Sequence, residues 1–413
     1  MEFRTALALA LSGLLLGAAG ERPPVDAAEA ERIYTARFDA LIKNPRGELP
    51  AYDPLEAVEG AARPTPIAIA TPSKKGLSPA AIEAARATAA AANSSAFMVW
   101  RDGALVAESY FGGATRDTPI VSKSLAKPLT AIAIGRAIKL GKIRSLDQPV
   151  ADFIPQWRGT PKEAMLVRHL LDMRAGLLAQ SFSTDPANIW SRAYLHPMHE
   201  KILIEDYPLT DPPGSIYEYA NATSELVAPV IEAATGMRYA DFIGRHVLQP
   251  IGAAGGEVWI NREGGVAHSG CCIMLPARTW LKLGILLLNN GQHAGERLLP
   301  NGYVAEMRTA TAQNPWYGLG LWVAGPYAER RGFANPARPG PKVLHSEPWL
   351  AADVFMFDGN SNQLVMMVPS AKLIVLRTGN SPPRMPEWDN AAFLNGILRG
   401  LEPGAARLRA QAQ

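Results

Sequence analysis

The chain has 413 residues, 48% of them hydrophobic and 19% charged, an ordinary globular balance with room for one large or two medium domains. Its formal net charge of +3, with no basic stripe interleaved with aromatics, gives no reason to expect a nucleic-acid partner. Cys271 and Cys272, adjacent, exclude a disulfide framework and a cysteine-rich zinc site and read as buried small hydrophobes.

In chain order, Met1-Glu2-Phe3-Arg4 is followed by an apolar run over 5–19 with small residues at 17–20. That pattern reads as a bacterial export signal over 1–20 and implies a periplasmic or secreted protein. The run is short for a membrane span, and no cysteine follows it to carry a lipid, so no stable membrane anchor is expected. Residues 21–76 are rich in Ala, Pro and Glu and read as an extended lead-in with one helix near 32–42. Ser78-Pro79 opens a helix to about residue 92, with serine at the cap and proline in the first turn. Residues 96–100 and 104–110 read as strands joined by an Asp102-Gly103 turn.

The middle, 140–320, reads mostly as helices and loops. Residues 165–171 form a short helix, 224–234 an amphipathic helix closed by Gly236, and 278–288 another. The aromatic run 314–323 reads as a strand and 333–342 as a loop. Three strands follow at 352–357, 363–368 and 373–377, then a closing helix over 390–401. The simplest architecture is α+β. Strands from 94–113 and 350–380 pair in one antiparallel sheet flanked by terminal helices, and a helical subdomain at 140–320 leaves a groove against it. The main domain then spans 77–405.

The residues that carry chemistry start at Ser124 and Lys127, a Ser-x-x-Lys pair. Spacing i, i+3 on a helix puts the two side chains on one face. A serine hydroxyl needs a base to become a nucleophile, and a desolvated lysine can supply one. By itself the pair is weak, because a serine here could equally be a helix cap. Tyr219-Ala220-Asn221, in a loop before a helix, offers a phenol able to relay a proton if cations lower its pKa, and an amide able to orient the lysine or substrate. A buried loop tyrosine with its hydroxyl on a carbonyl is the competing structural reading. The seven histidines form no metal-ligand spacing: His196 and His199 are interrupted by Pro197 and have no third ligand nearby, so no metal and no cofactor is expected.

Taken together, Ser124-x-x-Lys127, Pro213-Gly214 and Tyr219-Ala220-Asn221 resemble the class C β-lactamase-like and penicillin-binding-protein-type serine hydrolases, nearest the 6-aminohexanoate-dimer hydrolase and esterase branch. Residues 141–150, 169–177 and 270–300 are similar to further landmarks of that family, so the likeness covers roughly 95–400. It implies a β-lactamase/transpeptidase-like fold and an acyl-enzyme on Ser124, with Lys127 as base and Tyr219 as proton relay.

The family's third motif, Lys-Thr-Gly or His-x-Gly on a strand beside the serine, has two candidates. Arg377-Thr378-Gly379 is the better string but ends the last strand, one hairpin too late, and reads as a decoy. Phe357-Asp358-Gly359-Asn360 lies at the matching place and resembles the nylon-hydrolase pattern. The resemblance then implies an oxyanion hole from the Ser124 and Asn360 N–H groups, with Gly359 and Asn221 positioning substrate. Phe357 and Asp358 replace the carboxylate-binding lysine, so Asp358 is expected to oppose anionic substrates and β-lactams to be poor ones.

The expected activity is cleavage of amides in small or linear peptides and oligoamides. A carboxylesterase with the same machinery is the first alternative, and a non-catalytic binder of peptides or cell-wall fragments the second. The loop 178–184 lacks a tyrosine that nylon-type enzymes would use there, which argues against the nylon dimer itself.

Overall fold

The computed structural model describes residue 22, residues 24–44 and residues 49–402; the export signal expected over 1–20 lies outside them. A six-stranded antiparallel sheet runs in the spatial order Ala104–Tyr110, Ser94–Arg101, Leu373–Gly379, Gln363–Val368, Phe355–Gly359 and Trp322–Val323. The N- and C-terminal strands therefore meet at its centre, where Val375 faces Val99 on one side and Met366 on the other.

The central strands are continuous apolar runs because both faces of the sheet are covered. Alternate residues go to opposite cores. Val365, Met367, Ile374 and Leu376 pack with the helix Ala126–Lys139 and the helix Ala277–Leu288. Leu364, Met366, Leu373 and Val375 pack with the terminal helices Pro79–Ala91 and Asn390–Arg399. Each such side chain contributes about 1.5–3 kcal/mol by leaving water. Ser78 and Asp389 cap the two terminal helices by accepting the Ala81 and Ala392 N–H groups, so each helix starts where its sequence places it.

Several local expectations are corrected. The helix near 224–234 starts at Asn221 and is split into Asn221–Glu225 and Val227–Thr235. Pro229 lacks an N–H for the Glu225 carbonyl and its ring crowds that group, which accounts for the break. The run 314–323 contributes only Trp322–Val323 to the sheet edge, the rest being turns. The loop at 333–342 is flanked by a short hairpin, Arg330–Gly332 with Lys342–Leu344.

The lead-in is more ordered than its proline content implies. Leu55–Val58 pairs with Gly256–Trp259 in a second sheet completed by Ile273–Pro276 and Pro119–Val121. The helix Ala27–Lys43 buries Tyr34, Phe38 and Leu41 against Leu195 and Trp259. No described helix is long and apolar enough to cross a membrane.

Candidate active site

The short strand Pro119–Val121 delivers the chain to the turn that carries Ser124. Ser122 pins that turn: its Oγ accepts the Ile273 N–H at 3.2 Å and donates to the Lys123 carbonyl at 3.0 Å. Lys123 takes a left-handed φ of 50°, a conformation that non-glycine residues adopt at some cost and that sharpens the bend. Ser124 is half-buried, and the helix Ala126–Lys139 starts two residues later.

Lys127, in the first turn of that helix, is fully buried. Its Nζ lies 3.1 Å from Ser124 Oγ, 2.8 Å from Asn221 Oδ1 and 2.9 Å from the Gly270 carbonyl. A neutral amine has two N–H donors and one lone pair. With Asn221 and Gly270 as fixed acceptors, the lone pair is left facing the serine hydroxyl, as a general base requires. Burial pulls the Lys127 pKa well below the ordinary 10.5, while the buried Glu225 nearby pulls the other way. Desolvation wins, because removing an ammonium from water costs more than one carboxylate at a distance returns. Asn221 is itself held by Gln180, whose Oε1 accepts the Asn221 N–H at 3.1 Å.

Tyr219 completes the group. Its ring is buried against Trp322 and Phe333, with Lys127 Nζ 4.8 Å from its centre. The hydroxyl sits beside Ser124 without closing a full hydrogen bond to it. Burial raises the phenol pKa well above its ordinary value, the neighbouring Ser124 hydroxyl only partly opposing this. This corrects the expectation that cations lower it: Tyr219 stays protonated, suited to give a proton and not to take one. Tyr217, two residues earlier, packs edge-on against Tyr317, whose ring also touches that of Tyr219.

Gly359 ends its strand directly against the Ser124 turn: a Cβ there would come within 3.0 Å of the Leu125 nitrogen. Asn360 follows, exposed at the same cavity wall as Ser124. Phe357 is core, so no cation stands where the family's strand lysine would. Asp358 does not act as the expected bare negative charge. Arg331 Nη2 lies 2.7 Å from its Oδ2, the guanidinium is buried, and it stacks 3.7 Å over Trp322. Burial raises the Asp358 pKa and Arg331 opposes the rise. The predicted electrostatic repulsion of anionic substrates is therefore removed, and the argument against β-lactams rests on the missing lysine alone.

Arg377 faces away from the cavity. It donates to Ser94 Oγ and to the carbonyls of Ala92, Ser361, Asn362 and Asn380. The decoy string is thus a structural tie behind the Asn360 turn. The cavity in front of Ser124 holds about 700 Å³, the size of a pocket for a small molecule or short peptide. Gln180, Phe182, Trp190 and Arg384 are among its lining residues.

Cys271 and Cys272 also line it, and here the sequence reading needs correction: both are buried as expected, but they are bonded to each other. Neither spacing nor composition points to a bond between adjacent residues. Arg331 was likewise missed, since nothing local marks it as the partner of Asp358. The histidine reading changes too: His199 lies not beside His196 but with Glu225 and His268.

The beta-lactamase family model matches residues 80–397. The chain is 24% identical over 226 residues to the 6-aminohexanoate-dimer hydrolase of Paenarthrobacter ureafaciens, covering 51% of this chain and 55% of that one; it thus spans about half the length of that curated relative. In structure it is similar to a Bacillus anthracis protein assigned as a 6-aminohexanoate-dimer hydrolase, with TM-score 0.65, 19% identity and coverage of 88% and 93% of the two chains. It is also similar to EstCE1, a hydrolase with promiscuous acyltransferase activity, with TM-score 0.57, 18% identity and coverage of 78% and 97%. The antiparallel sheet flanked by helices and the family match lead to one conclusion: the chain belongs to the beta-lactamase family and has its β-lactamase/transpeptidase-like fold.

Proposed function

We propose that the protein is an exported amidohydrolase that cleaves small or linear peptides and oligoamides through an acyl-enzyme on Ser124. The observation that carries this reading is the buried Lys127 amine 3.1 Å from Ser124 Oγ, with its other acceptors fixed. Neutral Lys127 takes the Ser124 proton as Oγ attacks the carbonyl carbon. The Ser124 and Asn360 N–H groups receive the oxyanion. Tyr219 gives its proton to the departing nitrogen and takes one back from the Lys127 ammonium; the neutral amine then accepts a proton from the attacking water, and that proton returns to Ser124 Oγ as the acid leaves.

Preference for amides over esters rests on Tyr219. An amine leaves only when protonated, whereas an activated alcohol leaves without help. A protonated phenol beside the nucleophile meets the harder requirement. Export is part of the proposal and rests on the pattern over residues 1–20.

A panel of p-nitroanilides of D- and L-amino acids and short linear peptides, run beside p-nitrophenyl esters, tests the reading. Turnover of at least one anilide or peptide that disappears in Ser124→Ala is expected. Ester turnover alone would move the assignment to a carboxylesterase, and no turnover at all would favour a binding protein. Nitrocefin should be hydrolysed far more slowly than the best amide.

A further inference from the structure

Behind Lys127, away from the cavity, three segments bring together side chains that the mechanism does not use. His199 comes from the short helix His199–Lys201, Glu225 from the helix Asn221–Glu225, and His268 from the loop before the strand Ile273–Pro276. All three are buried to within 1% exposure, and one donor atom of each lies within 4.8 Å of the others.

None of their six nitrogen and oxygen atoms has a hydrogen-bond partner among the described residues. The Ser269 and Gly270 N–H groups approach the Glu225 carboxylate without forming full bonds, and His268 Nδ1 stands 3.7 Å from Glu225 Oε2, too far for one. Buried polar groups left in this state cost about 1–3 kcal/mol each, so native proteins rarely keep them without a partner. Three of the six, one from each residue, converge on one point and make a donor set without its acceptor.

The neighbours hold the set in place. Trp259 stacks face to face on the His268 ring at 3.6 Å, and the His199 ring lies 4.2 Å from it. Gly270 lets the 268–272 loop close on Glu225; a Cβ there would meet Ser224 Oγ at 2.3 Å. Two imidazoles and one carboxylate make a common protein ligand set for a zinc-class ion, with bonds of about 2.0–2.2 Å and a fourth position for water. Such bonds place neighbouring donors about 3.4 Å apart in a tetrahedron. The His268–Glu225 pair, at 3.7 Å, is already near that separation, and the donor atoms of all three residues lie within 4.8 Å of one another.

We propose that His199, Glu225 and His268 form a divalent transition-metal site, of zinc class by its donors, that ties together the three segments behind the catalytic lysine. The site is buried away from the cavity, and its role is structural. Asn221 and Glu225 lie one helical turn apart, so the ion would hold the helix that presents Asn221 to Lys127 against the loop that presents the Gly270 carbonyl. Substrate does not reach it. Its role is separate from the chemistry at Ser124, and the proposed hydrolysis does not depend on it.

The test is metal content of the full chain, expressed in zinc-supplemented medium, purified without chelator and measured by inductively coupled plasma mass spectrometry. About one equivalent is expected in the wild type, falling at least tenfold in His268→Gln and in Glu225→Gln and unchanged in His196→Gln. Protein grown with cobalt should show the visible absorption bands of a four-coordinate Co2+ site, a readout on the wild type that stands even if a variant fails to fold. Wild-type protein with less than a tenth of an equivalent and no cobalt bands would overturn the proposal. Equal metal in wild type and His268→Gln would overturn it as well, by placing the ion elsewhere.

Discussion

Lys127 and Arg377 are both buried cations with several oxygen partners, and both stand in strings that resemble family motifs. They do opposite work. Arg377 spends every contact on holding the chain: one hydroxyl and four carbonyls surround it. Burial lowers its pKa to about 10, which still leaves it charged at neutral pH. Lys127 has two structural acceptors, and its third partner is a hydroxyl at a cavity wall. Burial pushes it towards the neutral amine. The proposed base is the buried cation that has a group able to react among its neighbours and a charge light enough to lose. A guanidinium meets neither condition here.

The largest effect expected from breaking this contrast is at Lys127. Lys127→Met should lower kcat/KM on the best substrate by about 10⁴ or more, since it removes the base and leaves the Ser124 proton in place. The wild-type pH profile sharpens the same point. As the proposed base, Lys127 acts only when unprotonated, so activity should rise with pH through its folded pKa, and burial places that ascending limb below the ordinary 10.5. A limb at or above 10.5 would show a lysine that is not desolvated.

Tyr219→Phe comes next. It should cost about 10²–10³ on anilides and peptides and much less on activated esters, whose leaving groups need no proton. An equal loss on both would move the hydroxyl's role from leaving-group protonation to activation of Ser124.

Arg377→Met should act on stability. Leaving its carbonyl partners without a donor is expected to cost about 3 kcal/mol, read as a lower urea midpoint, with kcat/KM of the folded protein changed by less than about tenfold. A loss like that at Lys127 with an unchanged midpoint would make Arg377-Thr378-Gly379 a working motif after all.

The sheet was legible because its strands are strongly patterned: 364–368 and 373–376 are continuous apolar runs, and their residues alternate between the two cores. The Ser124–Lys127 pair was legible because both members lie in one helical turn, and Tyr219 with Asn221 because they share a short loop motif. The second sheet was not. Its four strands have three or four residues each and come from positions 55, 119, 256 and 273, too short for a period to show and too far apart for local rules to join. The same reason hid Arg331 beside Asp358 and His199 beside Glu225 and His268: long-range packing makes each pair, and no spacing records it. The phenol of Tyr219 shows a different limit. Its place beside Ser124 follows from the loop motif, but the direction of its pKa shift depends on burial that only the fold reveals.

The central claim is that a desolvated Lys127 activates Ser124. It is tested most directly by fluorophosphonate labelling of the intact protein across pH, with the labelled peptide identified by mass spectrometry. The expected result is a single phosphonylated residue, Ser124, labelled at a rate that climbs with pH through a midpoint well below 10.5 and that falls by orders of magnitude in Lys127→Met. Labelling that is absent in the wild type, or the same in Ser124→Ala, would contradict it.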